Sequence, residues 1–253
     1  MIDAILPAGV TSAEAFGGPV PAPLFPGDAE PAELARWSEE RRREFATGRA
    51  LARRALCGAG LPPVAIPRDA QGAPVWPPGT IGSVTHCPGY TAAAVALTAR
   101  VRAVGVDAEP ALTLPAGVLD EIALPAERAE LRLLRSGHPE VCWGRLLFCI
   151  KEAVYKAWSP LTGRWLAFED VWVRVDATGT FAASLLVAEP GPGRRGFPGR
   201  WLLRDGYLLG AAWLGAPGRA SLNTRRNLHS SVARPPILGQ SGRRRTPNQE
   251  ASP

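Results

Sequence analysis

The sequence predicts an α+β fold built from two halves that meet near residue 108. A helical pattern followed by several strand patterns occurs in residues 1–107, and the same order returns in residues 108–215. Helices and strands do not alternate as they do in a parallel βαβ sheet. The halves share this order only, since no repeat is visible between their sequences. With 253 residues, 46% of them apolar, the chain is long enough to bury a large core without disulfides or structural metals.

The first half is expected to contain one long helix and three strands after an irregular start. A short edge strand is expected near Ile2–Leu6, in a region rich in proline and glycine. A helix is expected from about Pro31 to Cys57, with a restart at Ser38, because a serine followed by two glutamates is typical of a helix N-terminus. Residues 61–80 predict a loop. The strands are expected at Ile81–His86, Ala92–Leu97 and Val101–Asp107.

The second half is expected to contain one clear helix and four strands. Residues 108–140 carry broken helical patterning, and Glu140–Trp158 has the clearest helical periodicity in the chain. Asp205-Gly206 predicts a tight hairpin turn. The strands are expected at Val171–Val175, Thr180–Val187, Arg200–Arg204 and Tyr207–Leu214.

The net charge of +6 belongs to the end of the chain and not to its body. Residues 216–253 carry seven arginines against one glutamate, and they are rich in serine, proline and glycine without apolar periodicity. We therefore expect a disordered basic tail, solvated or in nonspecific contact with RNA or acidic surfaces. Residues 1–215 have equal numbers of basic and acidic side chains and no nucleic-acid-binding motif, which argues against a nucleic-acid module.

Composition also bears on the compartment. No stretch reaches the length of apolar sequence that a membrane span requires, and the N-terminus lacks the basic and apolar regions of a signal peptide. The four cysteines show neither a C-x-x-C pair nor zinc-ligand spacing. We expect a cytoplasmic protein with free thiols and no membrane partner.

Two acidic residues at a strand end form a candidate metal site. Side chains two apart on a strand point the same way, so Asp107 and Glu109 can aim their carboxylates at one point. Gly105 and Ala108 leave room for a ligand, and hard oxygen donors suit Mg²⁺. The alternative is two solvated acids at a strand end.

The predicted helix at residues 140–158 adds a third acid and two cations. The chain has 27 arginines but only two lysines, Lys151 and Lys156, and both lie on one arc of this helix with Glu152 between them. A solvated pair of Glu152 with Lys156 is the alternative and is worth only a few tenths of a kcal/mol. Phe148 in the same arc argues against a purely solvated face. An acid and two cations facing a pair of acids suggest a site for a metal–diphosphate.

These residues resemble the signature of a known family. Gly105–Glu109 followed by Phe148–Trp158 is similar to the paired motifs of the 4′-phosphopantetheinyl transferases. The similarity is to the large, monomeric, pseudo-twofold class that activates siderophore and polyketide synthetases in actinobacteria. Further similar segments follow the family's order, and the resemblance runs from about residue 30 to 214, leaving the tail without a counterpart. These segments are Arg41–Phe45 with Gly48 and Arg49, Gly82–Tyr90, and Trp165–Asp170.

The resemblance implies a reaction and a metal. The phosphopantetheine arm of coenzyme A would move to a serine of an acyl or peptidyl carrier protein, with release of 3′,5′-ADP. Asp107, Glu109 and Glu152 would bind Mg²⁺, or Mn²⁺, and Glu152 would also act as the general base. Lys151 and Lys156 would neutralise the diphosphate, with one of them near the leaving phosphate.

The resemblance also implies contacts to the rest of coenzyme A. Arg41, Arg49, Arg68 and His86 would bind its nucleotide and phosphates, although the family often has lysine near position 68. Ser83 and Thr85 would add hydroxyl or backbone contacts. The alternatives are an ordinary charged helix face for the arginines and a structural histidine for His86.

Two other functions remain open at this point. One is a coenzyme A or nucleotide-binding protein of the same fold without turnover. The other is the basic nucleic-acid module that the neutral body disfavours. Tyr155 and Phe148 line the pantetheine path or pack in the core, and the carrier is expected to dock near residues 110–135.

Overall fold

Two antiparallel sheets lie face to face, and each carries a long helix on its outer side. The computed structural model describes residues 1–18, 20–188 and 196–215; the predicted basic tail lies outside them. The smaller sheet has the strand order β1-β3-β2 and the larger one β4-β8-β7-β6-β5, with the ranges given below. The α+β class predicted from the sequence is confirmed.

The N-terminal segment differs from the prediction. Ile2–Ile5 is a short 3₁₀ helix and not an edge strand, because the side chains of Ile2 and Ile5, three residues apart, both turn into the core. The strand follows later, as β1, Val10–Phe16, which pairs antiparallel with β3, Tyr90–Leu97.

The first long helix begins where its capping residue predicted. After a single turn, α1 (Pro31–Leu34), the helix α2 spans Glu39–Gly58, and the Ser38 hydroxyl accepts a hydrogen bond from the Arg41 amide at 3.1 Å. One face of α2 packs on the outer face of β3. The contacting residues are Leu51, Ala52, Ala55 and Leu56 on the helix and Ala93 and Val95 on the strand.

The third predicted strand belongs to the second sheet. β2 spans Thr80–Cys87, and β4 spans Val101–Pro110. β4 pairs with β8, Tyr207–Gly215, and forms the edge of the larger sheet. The predicted division between residues 107 and 108 therefore falls inside a strand.

The second half follows the predicted order. The broken pattern resolves into α3, Val118–Ile122, and α4, Pro125–Gly137, and the clear helix is α5, Trp143–Thr162. Asp205 and Gly206 both have positive φ, as a tight hairpin turn requires. The remaining strands are β5 (Val171–Asp176), β6 (Thr180–Leu185) and β7 (Gly196–Arg204).

Small residues fill the space between the two sheets. Every second residue of β3 faces every second residue of β4 and β8, and these side chains form one apolar layer. The layer includes Ala92, Ala94, Ala96, Val104, Val106, Ala108, Leu209 and Ala211. No helix in the described ranges is long and apolar enough to span a bilayer.

Candidate functional site

The site forms where α5 crosses β4, and a glycine allows this close approach. A Cβ atom on Gly105 would lie 2.0 Å from the carbonyl oxygen of Ala153 and 2.5 Å from the amide nitrogen of Ala157. Because alternate residues of β4 face α5, Asp107 and Glu109 share the side of Gly105, whereas Val106 lies in the layer between the sheets. The predicted common orientation of the two acids thus follows from β4.

Asp107 is the buried centre of the site. Its side chain is 7% exposed, and its Oδ1 accepts hydrogen bonds from Lys156 Nζ at 2.6 Å and from the Thr85 hydroxyl at 3.1 Å. Its Oδ2 is buried and has no hydrogen-bond partner in the described part of the chain. A buried carboxylate oxygen without a donor suits a cation.

Glu109 lies at the outer end of the site and is held by an arginine. Arg145 Nη1 donates to its carboxylate at 3.0 Å, and the same guanidinium donates to the carbonyls of Leu112 and Thr113. Burial raises the pKa of Glu109, and the charge of Asp107 adds to this, while Arg145 opposes both. Helical periodicity places Arg145, seven residues before Glu152, on the same face as that residue, but nothing in the sequence indicated that it pairs with Glu109.

Glu152 shares the electrostatic environment of the two strand acids. Burial raises the pKa of Glu152, Asp107 and Glu109 raise it further by repulsion, and Lys156 opposes them. For Lys156, burial alone would lower the pKa, but the neighbouring carboxylate of Asp107 outweighs it and raises the pKa. Across the described ranges, no three potential ligands converge closely enough to hold a metal as they stand, and two of these acids are paired with cations instead.

The structure does not bring Lys151 to this cluster. Its ammonium points into the protein, where it donates to Glu127 and to the carbonyls of Ile122 and Phe168, each at 2.8 Å. Those three bonds use all three N–H donors of the ammonium group, so none is left for a phosphate. The prediction that Lys151 contacts the diphosphate is therefore wrong in this structure. The helical pattern placed both lysines on one arc, but it carried no information on the elements packed against Lys151.

Ser83 and Thr85 connect the two sheets at their adjoining edges. The Val106 amide donates to the Ser83 hydroxyl at 3.1 Å, and the Ala108 amide donates to the Thr85 hydroxyl at 3.0 Å. These bonds satisfy backbone donors on the free edge of β4. Thr85 also donates to Asp107, so its hydroxyl orients the central carboxylate.

The predicted nucleotide contacts gather around α2. The guanidinium groups of Arg41 and Arg68 lie 5.7 and 5.1 Å from the ring centre of Trp37, and that of Arg49 lies 4.3 Å from Phe45. Burial lowers the pKa of Arg49 to about 10, with Arg68 contributing, and its Nε is buried without a hydrogen-bond partner among the described residues. Arg68 pairs with Glu33, and Arg41 lies 3.9 Å from Glu44. Arg49, in contrast, has no carboxylate within ion-pair distance among the described residues. Arg49 is therefore the member of this group best placed to bind an anion.

His86 lies between this basic group and the acids. Its Nε2 is 3.6 Å from a carboxylate oxygen of Glu44, and its side chain is half exposed. Burial lowers the pKa of His86, Lys156 and Arg41 lower it further, and Glu44 opposes the shift.

Two neighbouring cavities meet at α5. The first, of about 400 Å³, lies between the 69–76 loop, β2 and the C-terminal half of α5. The second, of about 200 Å³, lies between α5 and residues 165–171 and has Glu152 in its wall. Tyr155 lines both cavities, so the two spaces are adjacent. Together the two spaces have room for an elongated ligand that passes Glu152.

Two family models match the chain. A model of the 4′-phosphopantetheinyl transferase N-terminal domain matches residues 29–96, and a model of the 4′-phosphopantetheinyl transferase superfamily matches residues 103–209. The chain is thus similar to this family through both sheets.

Three actinobacterial relatives are similar over nearly their whole length. The 4′-phosphopantetheinyl transferase Npt of Nocardia iowensis is 48% identical over 225 residues, which cover 83% of this chain and 98% of that protein. Svp of Streptomyces mobaraensis is 46% identical over 226 residues, covering 86% and 90%. PptT of Mycobacterium tuberculosis is 43% identical over 223 residues, covering 83% and 96%.

Proposed function

This chain belongs to the 4′-phosphopantetheinyl transferase superfamily, and on that premise we propose how its residues share the transfer of phosphopantetheine. The enzyme moves the 4′-phosphopantetheine arm of coenzyme A to a carrier protein. The observation that carries the assignment of roles is the buried Asp107, which is paired with Lys156 on one oxygen and lacks a hydrogen-bond donor on the other within the described residues.

Coenzyme A lies along the two cavities at α5. Its nucleotide and 3′-phosphate contact Arg41, Arg49, Arg68 and His86, because arginine forks match phosphate oxygens. Arg68 Nε is 3.5 Å from the carbonyl of Gly72, which lines the larger cavity. Lys156 lies in the wall of that cavity and contacts the diphosphate, and the pantetheine arm continues past Tyr155 into the smaller cavity.

Asp107, Glu109 and Glu152 would hold Mg²⁺ or Mn²⁺ beside the diphosphate. The donor set fits a hard divalent cation, since it consists of carboxylates and includes the partnerless Asp107 Oδ2. When bound, the ion neutralises charge that the diphosphate carries and develops during transfer. Lys156 and Arg145 supply part of that compensation from the protein itself.

Glu152 is the general base for the carrier serine. It lies in the wall of the smaller cavity, within reach of the path that leads to the diphosphate. Its raised pKa makes it a better proton acceptor than an ordinary glutamate, and Lys156 opposes that rise and so favours the ionised form that a base requires.

The carrier proteins are acyl and peptidyl carrier proteins that dock near residues 110–135 and α5. Leu112 and Leu133 are 65% and 77% exposed there and offer apolar contact. The enzyme acts as a monomer, because one chain supplies every proposed site residue. The free cysteines of the described residues support a cytoplasmic location.

One incubation tests the proposal. Protein, coenzyme A, Mg²⁺ and an apo carrier protein are mixed, and the carrier is weighed by mass spectrometry. We expect a gain of one phosphopantetheine with the wild type and an at least about 100-fold lower rate with Glu152→Gln. Glu30→Gln, at an exposed position before α1 and outside the proposed docking surface, is the matched control and should transfer normally. A Glu152→Gln enzyme at wild-type rate would remove Glu152 as the base.

A further inference from the structure

Beneath the proposed base lies an ion pair with almost no contact with solvent. The side chains of Lys151 and Glu127 are each 1% exposed, and their charged atoms are 2.8 Å apart. Burial lowers the pKa of Lys151, and Glu127 opposes that shift. Such a pair is costly to desolvate, and two well-packed apolar side chains would often be as stable. The presence of this buried ion pair therefore indicates that the elements around it must be held in fixed positions.

Every polar atom of the pair is used. Lys151 donates to Glu127 Oε2, to the carbonyl of Ile122 at the end of α3, and to the carbonyl of Phe168. Glu127 accepts from the backbone amide of Leu124 at 2.8 Å and from that of Val173 on β5 at 2.7 Å. The two side chains thus connect α5 with α3, α4, the 3₁₀ turn Phe168–Asp170 and β5.

The connected elements are the two walls of the smaller cavity. Lys151, Glu152 and Tyr155 on α5 line one wall, and the segment Trp165–Glu169 lines the other. The Lys151 ammonium itself is fully bonded inside the protein. Lys151 precedes Glu152 directly and bonds to the backbone of the opposite wall at Phe168. The ammonium group therefore sets the distance between the base and the wall it faces.

We propose that the Lys151–Glu127 pair positions Glu152 for proton transfer by holding α5 against the 165–169 wall. Lys151 and Glu127 are positioning residues, and their charged groups touch neither coenzyme A nor the serine. The proposal rests on the role of Glu152 given above. It assigns different roles to the two lysines of the chain: Lys156 contacts the diphosphate, and Lys151 positions Glu152 from within the protein.

The test compares Lys151→Met with Lys151→Met/Glu127→Gln in the full-length enzyme. The single variant leaves a buried carboxylate without its counter-charge, so its melting temperature should fall clearly. The double variant removes that charge and should recover part of the loss. For both, we expect a kcat lower by about 10- to 100-fold, since small misplacements of a catalytic group have effects of that size. The dissociation constant of coenzyme A should stay within about threefold of the wild type, because neither residue touches it.

Hydrogen exchange shows where the double variant is loosened. We expect faster exchange at Leu124 and in residues 165–173, because the Leu124 and Val173 amides lose the Glu127 carboxylate and the Phe168 carbonyl loses the Lys151 ammonium. A kcat that stays low while the melting temperature recovers is the readout that a purely structural role would not give. A kcat that recovers together with the melting temperature would overturn the proposal, because activity would then follow stability alone. Loss of coenzyme A affinity by tenfold or more in either variant would also overturn it, by making Lys151 a ligand contact.

A parallel measurement on Glu152→Gln separates this proposal from the assignment of the base. If Glu152→Gln transfers at the wild-type rate, the base is wrong whatever the pair does. If it is inactive and the double variant has a normal kcat, the positioning role is wrong and the base stands.

Discussion

Gly105→Ala is the sharpest single perturbation of the site. The added Cβ would lie 2.0 Å from the Ala153 carbonyl oxygen, a separation that real Cβ atoms do not show. Restoring a contact of 3.0 Å requires α5 to move about 1 Å from β4, since packed backbones cannot otherwise give way. The bond of 2.6 Å between Lys156 and Asp107 would then lengthen to about 3.6 Å, beyond hydrogen-bond distance.

That displacement sets the expected magnitudes. Overpacking of this kind costs about 1–3 kcal/mol. At this chain length each kcal/mol lowers the melting temperature by about 2–4 °C, so we expect a fall of about 2–12 °C. A misplacement of about 1 Å at the catalytic residues can reduce the rate by about 100-fold. Single-turnover transfer at saturating coenzyme A, measured by carrier mass, reports the loss of rate separately from the loss of stability.

Two other glycines provide controls. A Cβ on Gly137, in α4, would meet nothing within 4 Å, so Gly137→Ala should leave the rate unchanged and stability equal or slightly higher. A Cβ on Gly210 would lie 3.4 Å from Cys149 Sγ, an ordinary van der Waals contact, so Gly210→Ala should change stability little. If Gly105→Ala keeps both the melting temperature and the rate of the wild type, the close approach of α5 to β4 is not what assembles the site.

Further outcomes follow from the charges. Lys156→Met removes the cation that opposes the raised pKa of Glu152, so the Glu152 carboxylate should become protonated at a higher pH. The acid limb of the pH profile of the single-turnover rate should then shift to higher pH. An unshifted acid limb would contradict this coupling. Arg49→Met should weaken coenzyme A binding about tenfold but leave 3′-dephospho-coenzyme A unaffected in calorimetry, whereas equal losses for both ligands would place Arg49 elsewhere. Deletion of residues 216–253 should leave the carrier-mass rate unchanged, and a large loss would show that the tail takes part.

Local signals accounted for much of the fold. The Ser38 cap, the Asp205-Gly206 turn and the apolar periodicity of α5 each depend on neighbouring residues, and each predicted its element. β1 was missed because Val10–Phe16 has no clear alternation in burial; it becomes a strand by pairing with β3, far along the chain. The sheet to which β4 belongs is likewise decided by a distant partner, β8.

In the candidate site, too, features that depend on neighbouring residues were predicted, and features that depend on distant residues were not. The common direction of Asp107 and Glu109 follows from strand alternation, and the sequence alone predicted it. The fate of Lys151 depends on Glu127, which lies on a different helix and pairs with it only after α4 packs against α5. Arg145 and Glu109 are also remote in sequence, and the hydroxyls of Ser83 and Thr85 act through an edge that only the packed sheets create.

Binding of Mn²⁺, followed by electron paramagnetic resonance, tests most directly whether the three carboxylates share one ion beside the diphosphate. With coenzyme A present, the wild type should bind one Mn²⁺, and Asp107→Asn and Glu152→Gln should each weaken that binding by about tenfold or more. Mn²⁺ should also broaden the diphosphate ³¹P resonances of the bound coenzyme A. Equal Mn²⁺ affinity in all three proteins, or unbroadened ³¹P resonances, would contradict the account.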